Sequence, residues 1–342
     1  MRQQDGGSAV GGQVADPRVA SDPLLHRVIA DVRRTQGEVE RFRGDSILDK
    51  QRLFAELEGG DPERRLICYL TGPGRGDINL ADAAPIGSML DASGECENLD
   101  LMLNSGGGSG EMAEKVIEMC RAHCRREFRV IVPNFAKSAA TMIALGADVI
   151  LMGYLSELGP IDPQYALLVG DIPQMVSGQS FLNAHDDLQQ KVMEATAAGD
   201  SPIGYLQSLG TSTMEPAFLE HCRRAIDFSR DVTKKFLPKY QLRAKYGGRK
   251  ISKRRMQALA DEAAENLVSV SKRFSHGRLI GAEEARDDVG LNVELLDRHD
   301  PRWEAYWELY VRAEVYMQSM SSVEDQPVSK LFFDADSTLP AY

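Results

Sequence analysis

The stretch from Asn98 to Gln164, NLDLMLNSGGGSGEMAEKVIEMCRAHCRREFRVIVPNFAKSAATMIALGADVILMGYLSELGPIDPQ, constrains the fold more than any other part of the chain. Leu99, Leu101 and Leu103 lie on a short apolar run, which Gly106, Gly107 and Gly108 interrupt. Beyond the glycines, Met112, Val116, Met119 and Cys120 recur at helical spacing. A second apolar run, Phe128 to Val132, ends at Pro133, and a small-residue segment carrying Ser138 opens another apolar helix. Twice, therefore, the sequence predicts a strand running into a turn that opens a helix.

Upstream, Arg65 to Thr71 reads as a further strand, closed by the turn signal of Gly72, Pro73 and Gly74. A short helix follows around Ala84 to Leu90. Strands alternating with helices predict an α/β fold with a largely parallel sheet covered by helices. In such sheets ligands bind outside the carboxyl ends of the strands. Both special turns, Gly106 to Gly108 and Lys137 to Ala139, fall at strand carboxyl ends.

Backbone N–H groups at a glycine turn and at a helix N-terminus have no intrahelical partners, so together they can hold a developing negative charge. A serine at the second turn stands beside that anion site. Taken singly, each turn has a plainer reading, with glycines that only permit tight turning and Ser138 as an N-cap. The order of the two turns, their separation by one helix and one strand, and the loop Gly159-Pro-Ile-Asp-Pro-Gln favour the anion site.

A serine hydroxyl is a weak nucleophile and needs a base within hydrogen-bond reach, usually oriented by a third group. His276 sits in a turn between a long helix and a short one, followed by Gly277 and Arg278. His185 lies beside Asp186 and Asp187 on a predicted helix, where an exposed polar face accounts for it. Lys191 on the same helix serves as a base only if desolvation lowers its pKa. Asp162, held between Pro160 and Pro163 by way of Ile161, is a stiff carboxylate suited to orienting a base, or equally to an Asx turn.

The rest of the chain sets limits. Its 342 residues exceed the usual single-domain size, which suggests one elaborated domain with a helical appendage. A net charge of −11 argues for solubility and against general attraction to nucleic acid or anionic lipid, so no nucleic-acid partner is expected. The basic cluster from Lys234 to Arg255 reads as a solvated face. Cys68, Cys96, Cys120, Cys124 and Cys222 form no CxxC pair, which predicts reduced structural thiols, no metal and a cytoplasmic location. Neither a signal peptide nor an apolar run of transmembrane length is present in the sequence.

In order, the sequence predicts a disordered tail over 1–23, N-terminal helices over 24–60 and a catalytic domain over 61–296 with a helical region at about 200–275. A helix from Pro301 to Met320 carries Trp303, Tyr306, Trp307, Tyr310 and Tyr316, read as an oligomer contact, and a loose tail covers 321–342. Within the helical region, Phe181, Leu182, Leu188, Val192 and Met193 form the expected inward face of one helix.

The succession Leu103-Asn-Ser-Gly-Gly-Gly, then Val132-Pro-Asn-Phe-Ala-Lys-Ser-Ala-Ala-Thr-Met-Ile-Ala-Leu-Gly-Ala-Asp, then Leu158-Gly-Pro-Ile-Asp-Pro-Gln resembles the serine dehydrogenase proteinase family. That family is related to signal peptide peptidase A and the Clp protease catalytic subunit, within the crotonase-like superfamily. The resemblance covers roughly Arg65 to Glu294 and is concentrated in the central stretch. It implies a spiral β-β-α superhelix that assembles into a homo-oligomeric ring, and a cofactor-free serine endopeptidase acting on proteins or peptides. It further implies Ser138 as nucleophile, Gly107 and Ala139 as the oxyanion hole, and Asp162 and His276 as the other triad members. A Ser-Lys dyad using Lys191 is the alternative, by similarity to signal peptide peptidase A.

Two departures from the family pattern stand out. Ala139 and Ala140 occupy positions where relatives commonly carry glycine after the serine, and this chain lacks the membrane segments typical of archaeal relatives. The first raises the alternative of a ring-forming scaffold or pseudoprotease. A crotonase-like acyl-thioester enzyme is the other alternative, using the same glycine hole without a nucleophile. The second departure points to soluble proteins or peptides as substrates.

Overall fold

The computed structural model describes residues 27–28, 45–59, 61–72, 76–169, 172–210, 215–247, 251–268, 279–323 and 327–341. The expected tail over 1–23, most of the first expected helix, Pro73 and Gly74 of the turn signal, and His276 lie outside the described residues.

The chain folds as α/β around a seven-stranded mixed sheet, whose order runs from Val293–Leu295 at one edge through Val149–Met152, Cys124–Val132, Cys96–Asn104, Arg64–Thr71 and Lys330–Phe333 to Thr338–Ala341 at the other. Its parallel centre is β1 (Arg64–Thr71), β2 (Cys96–Asn104), β3 (Cys124–Val132), β5 (Val149–Met152) and β10 (Val293–Leu295). These strands are apolar on both faces, as buried parallel strands must be, and alternate residues point to opposite sides. Ile67, Tyr69, Leu99, Leu101, Leu103, Val130 and Val132 enter one core, while Leu66, Cys68, Leu70, Met102, Ile131 and Leu151 enter a second.

Among the helices that cover the first core, three lie between β1 and β5 in the chain. Those of the site are α4 (Gly110–His123) after β2 and α5 (Ala139–Leu145) after β3, with α3 (Ala83–Ser93) beside them. The second face is covered by α1 (Asp45–Leu48), α2 (Lys50–Glu58) and the C-terminal helix α12 (Pro301–Val323). Trp303, Tyr306, Trp307, Tyr310 and Tyr316 of α12 are at most 8% exposed. The expectation that this helix is an oligomer contact is therefore corrected: its aromatics are spent on the chain's own sheet, whose second apolar face needed a cover.

The boundary expected after residue 296 and the loose tail over 321–342 are corrected in the same way. Strands β11 (Lys330–Phe333) and β12 (Thr338–Ala341) extend the sheet antiparallel beyond β1, and Leu331, Phe332 and Phe333 are buried.

A second small sheet joins β4 (Phe135–Ala136), β6 (Glu157–Leu158) and β9 (Ile280–Gly281). Beyond it, the hairpin of β7 (Gln164–Val169) and β8 (Ile172–Ser177) leads into α6 (Gly178–Ala198) and α7 (Ile203–Leu209). Only the first turn of α6 is buried, through Gly178 and Phe181, and Met193 is 65% exposed rather than inward. Next come α8 (Pro216–Phe236), α9 (Gln241–Lys245), α10 (Lys253–Val268) and α11 (Ala282–Asp287).

Several members of the basic cluster have intramolecular roles. Lys235 bonds Glu114 and Glu118 at 2.7 Å each. The Lys245 ammonium donates to the carbonyls of Arg286, Gly290 and Leu291 at 3.1, 3.0 and 2.8 Å.

Candidate active site

The two strand-to-helix turns are zipped together at the carboxyl ends of β2 and β3. Ser105 N–H donates to Phe135 O at 3.0 Å and Lys137 N–H donates to Ser105 O at 2.9 Å. Asn104 Oδ1 accepts Phe135 N–H at 3.0 Å, which fixes the same junction from its side chain. The serine turn is thereby held against the glycine turn by backbone ladder bonds, although a whole helix separates them in sequence.

Ser138 occupies the sharpest point of this arrangement. Its φ of 51° and ψ of −118° are rare for a residue with a Cβ, and it stands at the N-cap of α5 with its side chain making no capping bond. Such a backbone costs about 1–3 kcal/mol and persists only where surroundings enforce it. A strained strand-to-helix turn is how a nucleophile is projected clear of the helix that follows it. The plainer reading of Ser138 as a helix-capping side chain is not met, since that side chain makes no capping bond.

One of the enforcing contacts is Thr141, fully buried one turn into α5. Its hydroxyl lies 2.7 Å from Ala136 O and 2.9 Å from Gly159 O, and it accepts Gly159 N–H at 3.2 Å. The serine turn and the Gly159-Pro-Ile-Asp-Pro-Gln loop are thus tied through one side chain. Sequence reasoning did not single out Thr141.

Gly107 packs directly on the serine. With φ of 110°, a Cβ there would fall 2.7 Å from both Lys137 O and Ser138 Cβ and 3.2 Å from Ala139 N. Its own N–H donates to Ser105 Oγ at 3.2 Å. The next residue, Gly108, has φ of 143° and lines the cleft that contains Ser138, and among the described residues its N–H has no protein acceptor. Gly108 is therefore a second donor candidate in the glycine turn, which a run of three identical residues could not single out in sequence. The N–H of Ala139, first residue of α5, likewise donates to no described acceptor.

Ala139 and Ala140 are buried in the first core at 1% and 0% exposure, and neither lines the cleft.

The cleft itself has a volume of about 510 Å³. Its floor is Ser138, Met142, Ile161 and Pro163, and one wall is Gly108 to Glu111 at the start of α4. The opposite wall is a stripe of α8: His221, Arg224, Ala225, Phe228 and Ser229. The spacing of that stripe is one helical face. Inside, Phe228 presses on Gly110, where a Cβ would lie 2.8 Å from its ring, and toward the mouth Arg224 is bonded to Glu220 at 2.9 Å. Among the described residues, His221 is the histidine on this cleft.

Asp162 is fully buried just below the floor and accepts the Gln164 side-chain amide at 2.7 Å. Two bonds anchor its loop. Ile161 N–H donates to Leu267 O at 3.1 Å, at the end of α10, and Leu158 pairs with Ile280 in the small sheet. Residues 268 and 279 bracket the segment carrying His276, so both its ends are attached beside Asp162.

Lys191 is placed differently. Its ammonium is exposed and bonded at 2.7 Å to Asp187 one turn back on α6. That hydrogen bond raises its pKa, opposite to the shift a lysine base requires. The cleft end of α6 is fixed by Gly178 N–H donating to Pro163 O at 2.8 Å. From there, Lys191 lies roughly 20 Å along the helix at 1.5 Å per residue. Among the described residues no group of three His, Cys, Asp or Glu side chains is placed to hold a metal ion.

Residues 66–189 match the family model for the ClpP-like SDH-type serine proteinase. The resemblance carried by the two turns and the loop after β6 holds over that segment. Two relatives come from Methanocaldococcus jannaschii. Uncharacterized protein MJ0137 is 38% identical over 87 residues, 25% of this chain and 30% of that protein. Uncharacterized protein MJ1495 is 28% identical over 159 residues, 46% of this chain and 48% of that protein. The matches thus span less than half the length of these curated relatives.

Among solved structures, a mutant of the membrane-bound stomatin-specific protease 1510-N overlaps with a TM-score of 0.27 at 14% identity, covering 42% of this chain and 66% of that one. The ClpP protease catalytic domain from Plasmodium falciparum overlaps with a TM-score of 0.24 at 16% identity, covering 35% and 62%. Among the described residues, no helix is long and apolar enough to cross a membrane.

Proposed function

We propose that this chain is a serine endopeptidase that works through an acyl-enzyme on Ser138. The observation that carries the reading is the strained backbone of Ser138, at φ 51° beside the glycine turn and on the floor of the cleft. In the proposed reaction Ser138 Oγ bonds to the peptide carbonyl carbon while its proton passes to the base. The base returns that proton to the leaving amine as the C–N bond breaks, and water then hydrolyses the ester. Ala139 N–H and the glycine turn, through Gly107 or Gly108, hold the oxyanion.

His276 is the proposed base, oriented by Asp162. Chain connectivity supports this pairing: His276 lies four residues before Ile280, which pairs with Leu158 beside the Asp162 loop. Four residues reach at most about 14 Å. The exposed, ion-paired state of Lys191 supports the triad over the dyad.

The substrates are proposed to be soluble proteins or peptides, in the cytoplasm, with no cofactor required. A homo-oligomer is proposed as well. Its contact surface is the β7–β8 hairpin and α6, where Leu168, Ile172, Met175 and Met193 are 65–70% exposed.

Fluorophosphonate labelling tests the nucleophile: one covalent adduct on Ser138 is expected, absent in Ser138→Ala. Full peptidase activity in Ser138→Ala would refute the reading. His276→Ala is expected to abolish turnover and Lys191→Ala to leave it near wild type, and the reverse pattern would establish the dyad instead.

A further inference from the structure

The glycine turn is held from behind by a segment that precedes it by two elements. Ile78 N–H donates to Gly107 O and Ser109 N–H donates to Ile78 O, both at 2.8 Å. Ile78 leads into a tight capped turn over Asn79 to Asp82. There Ala81 N–H donates to Asn79 Oδ1 at 2.9 Å, and Asn79 N–H donates to Asp82 Oδ2 at 2.8 Å.

The Asp82 carboxylate is buried, and its remaining bonds leave the turn. The Tyr69 hydroxyl donates to Oδ2 and the Lys330 ammonium to Oδ1, each at 2.6 Å. Lys330 is 5% exposed and sits on β11 opposite Thr71, while its neighbour Phe332 stacks on Tyr69 at 4.8 Å. The near end of the same loop is pressed on this strand too. A Cβ on Gly76 would fall 2.4 Å from Ser329 O and 2.9 Å from Lys330 Cγ.

A buried lysine and aspartate are stable only when well paired, so this pair has few alternative positions. Its rigidity passes through the Asn79 and Ile78 backbone to Gly107 and Ser109. Oxyanion donors act only when held at the right distance, and a 1 Å misplacement costs on the order of 100-fold in rate.

We infer that Lys330, Asp82 and Tyr69 are positioning residues that hold the glycine turn in register with Ser138. The C-terminal strand, which lies outside the family-matched segment, is then part of the active-site scaffold. The catalytic part of this inference rests on the peptidase reading. Were the pair only structural, its loss would lower the melting temperature and leave turnover intact wherever the protein stays folded.

The test uses the full chain as wild type, Tyr69→Phe, Lys330→Met and Lys330→Arg, each held below its unfolding transition. Labelling of Ser138 by a fluorophosphonate, kcat and KM on a peptide ester, and hydrogen exchange at Ile78 and Ser109 are measured. Lys330→Met is expected to lower kcat on the order of 100-fold with KM within about twofold. Tyr69→Phe, which removes one hydrogen bond, is expected to lower kcat about tenfold, and Lys330→Arg to recover part of the loss. Exchange at Ile78 and Ser109 is expected to quicken by about tenfold or more while α5 is unchanged.

Should Lys330→Met fail to fold, Tyr69→Phe decides. Wild-type kcat and exchange in folded Tyr69→Phe overturn the inference. If wild-type protein labels at Ser138 and the variants match it, the inference fails and the peptidase reading stands. If wild-type protein does not label, the reading fails together with the catalytic part, and faster exchange in the variants still supports the mechanical link.

Discussion

Gly108→Ala is the most informative single change, because the structure separates its effect from that of the neighbouring glycine. At φ of 143°, a methyl group on residue 108 would lie 2.4 Å from Ile78 O and 2.5 Å from Ile78 N. Both atoms belong to backbone that is itself hydrogen-bonded to Gly107 and Ser109, so relief requires moving the turn. The backbone conformation alone costs an alanine about 1–3 kcal/mol. Loss of the two Ile78 bonds adds about 0.5–1.5 kcal/mol each, for a total of about 2–6 kcal/mol. Urea denaturation measures that destabilisation. In protein that remains folded, displacement of the proposed oxyanion turn should lower fluorophosphonate labelling of Ser138 by on the order of 100-fold. Gly106→Ala is the control: a Cβ there meets nothing within 4 Å, and Gly106 is exposed. Stability and labelling close to wild type are expected of it. Equal behaviour of the two variants would refute the assignment of Gly108 to the oxyanion turn.

Two further predictions concern the frame around the site. Asp100, at 1% exposure, accepts Arg64 at 2.7 Å, Arg129 at 2.8 Å and the Tyr306 hydroxyl at 3.1 Å. Asp100→Ala leaves two guanidiniums facing each other at the foot of the sheet, and urea denaturation should show a loss of about 3–5 kcal/mol; a change below 1 kcal/mol would contradict the buried network. Glu314 on α12 is the second case: burial pushes its carboxyl up to about 7, against an opposing hydrogen bond from Tyr310. Its pKa in the folded state lies above the unfolded value of about 4.3, so the group is protonated when folded and its penalty grows as pH rises from there to about 7. Glu314→Gln should therefore stabilise by about 1–3 kcal/mol at pH 8 and by little at pH 5. Equal gains at both pH values would contradict it.

How much of this was legible in sequence depended on whether a signal was local. The two turns were, because glycines and small residues at strand ends fix both their position and their helix starts. The meaning of the aromatic helix was not, since Trp303 and Tyr306 pack equally well against another subunit or against the chain's own sheet. The deciding signal lay elsewhere: Leu66, Cys68, Leu70, Met102 and Ile131 alternate with first-core residues and demand a cover on the second face. Met193 misled for a related reason. Its helical spacing is genuine, but beyond its first turn α6 is at most half-buried, and Met193 falls on the open side. Within the site, three consecutive glycines carry no information about which one faces Ser138. The packing of Gly107 on Ser138 and of Gly108 on Ile78 supplies that distinction, and Ile78 belongs to a loop held by the far end of the chain.

The parts of the site therefore divide by their position in the chain. Ser138, the glycine turn, Thr141 and Asp162 all fall within residues 66–189, the segment matched by the family. The wall formed by α8 and the strand behind the glycine turn lie beyond it, as does His276, the proposed base, in the sequence. On the proposed peptidase reading, Ser138 and the glycine turn set what kind of bond is attacked, whereas the opposite wall sets what reaches them. Phe228 and Ala225 give that wall an apolar depth, and His221 and Arg224 give it a polar mouth. On that reading the bond chemistry and the selection of substrate are carried by different stretches, and both must be measured on this chain rather than taken from its relatives.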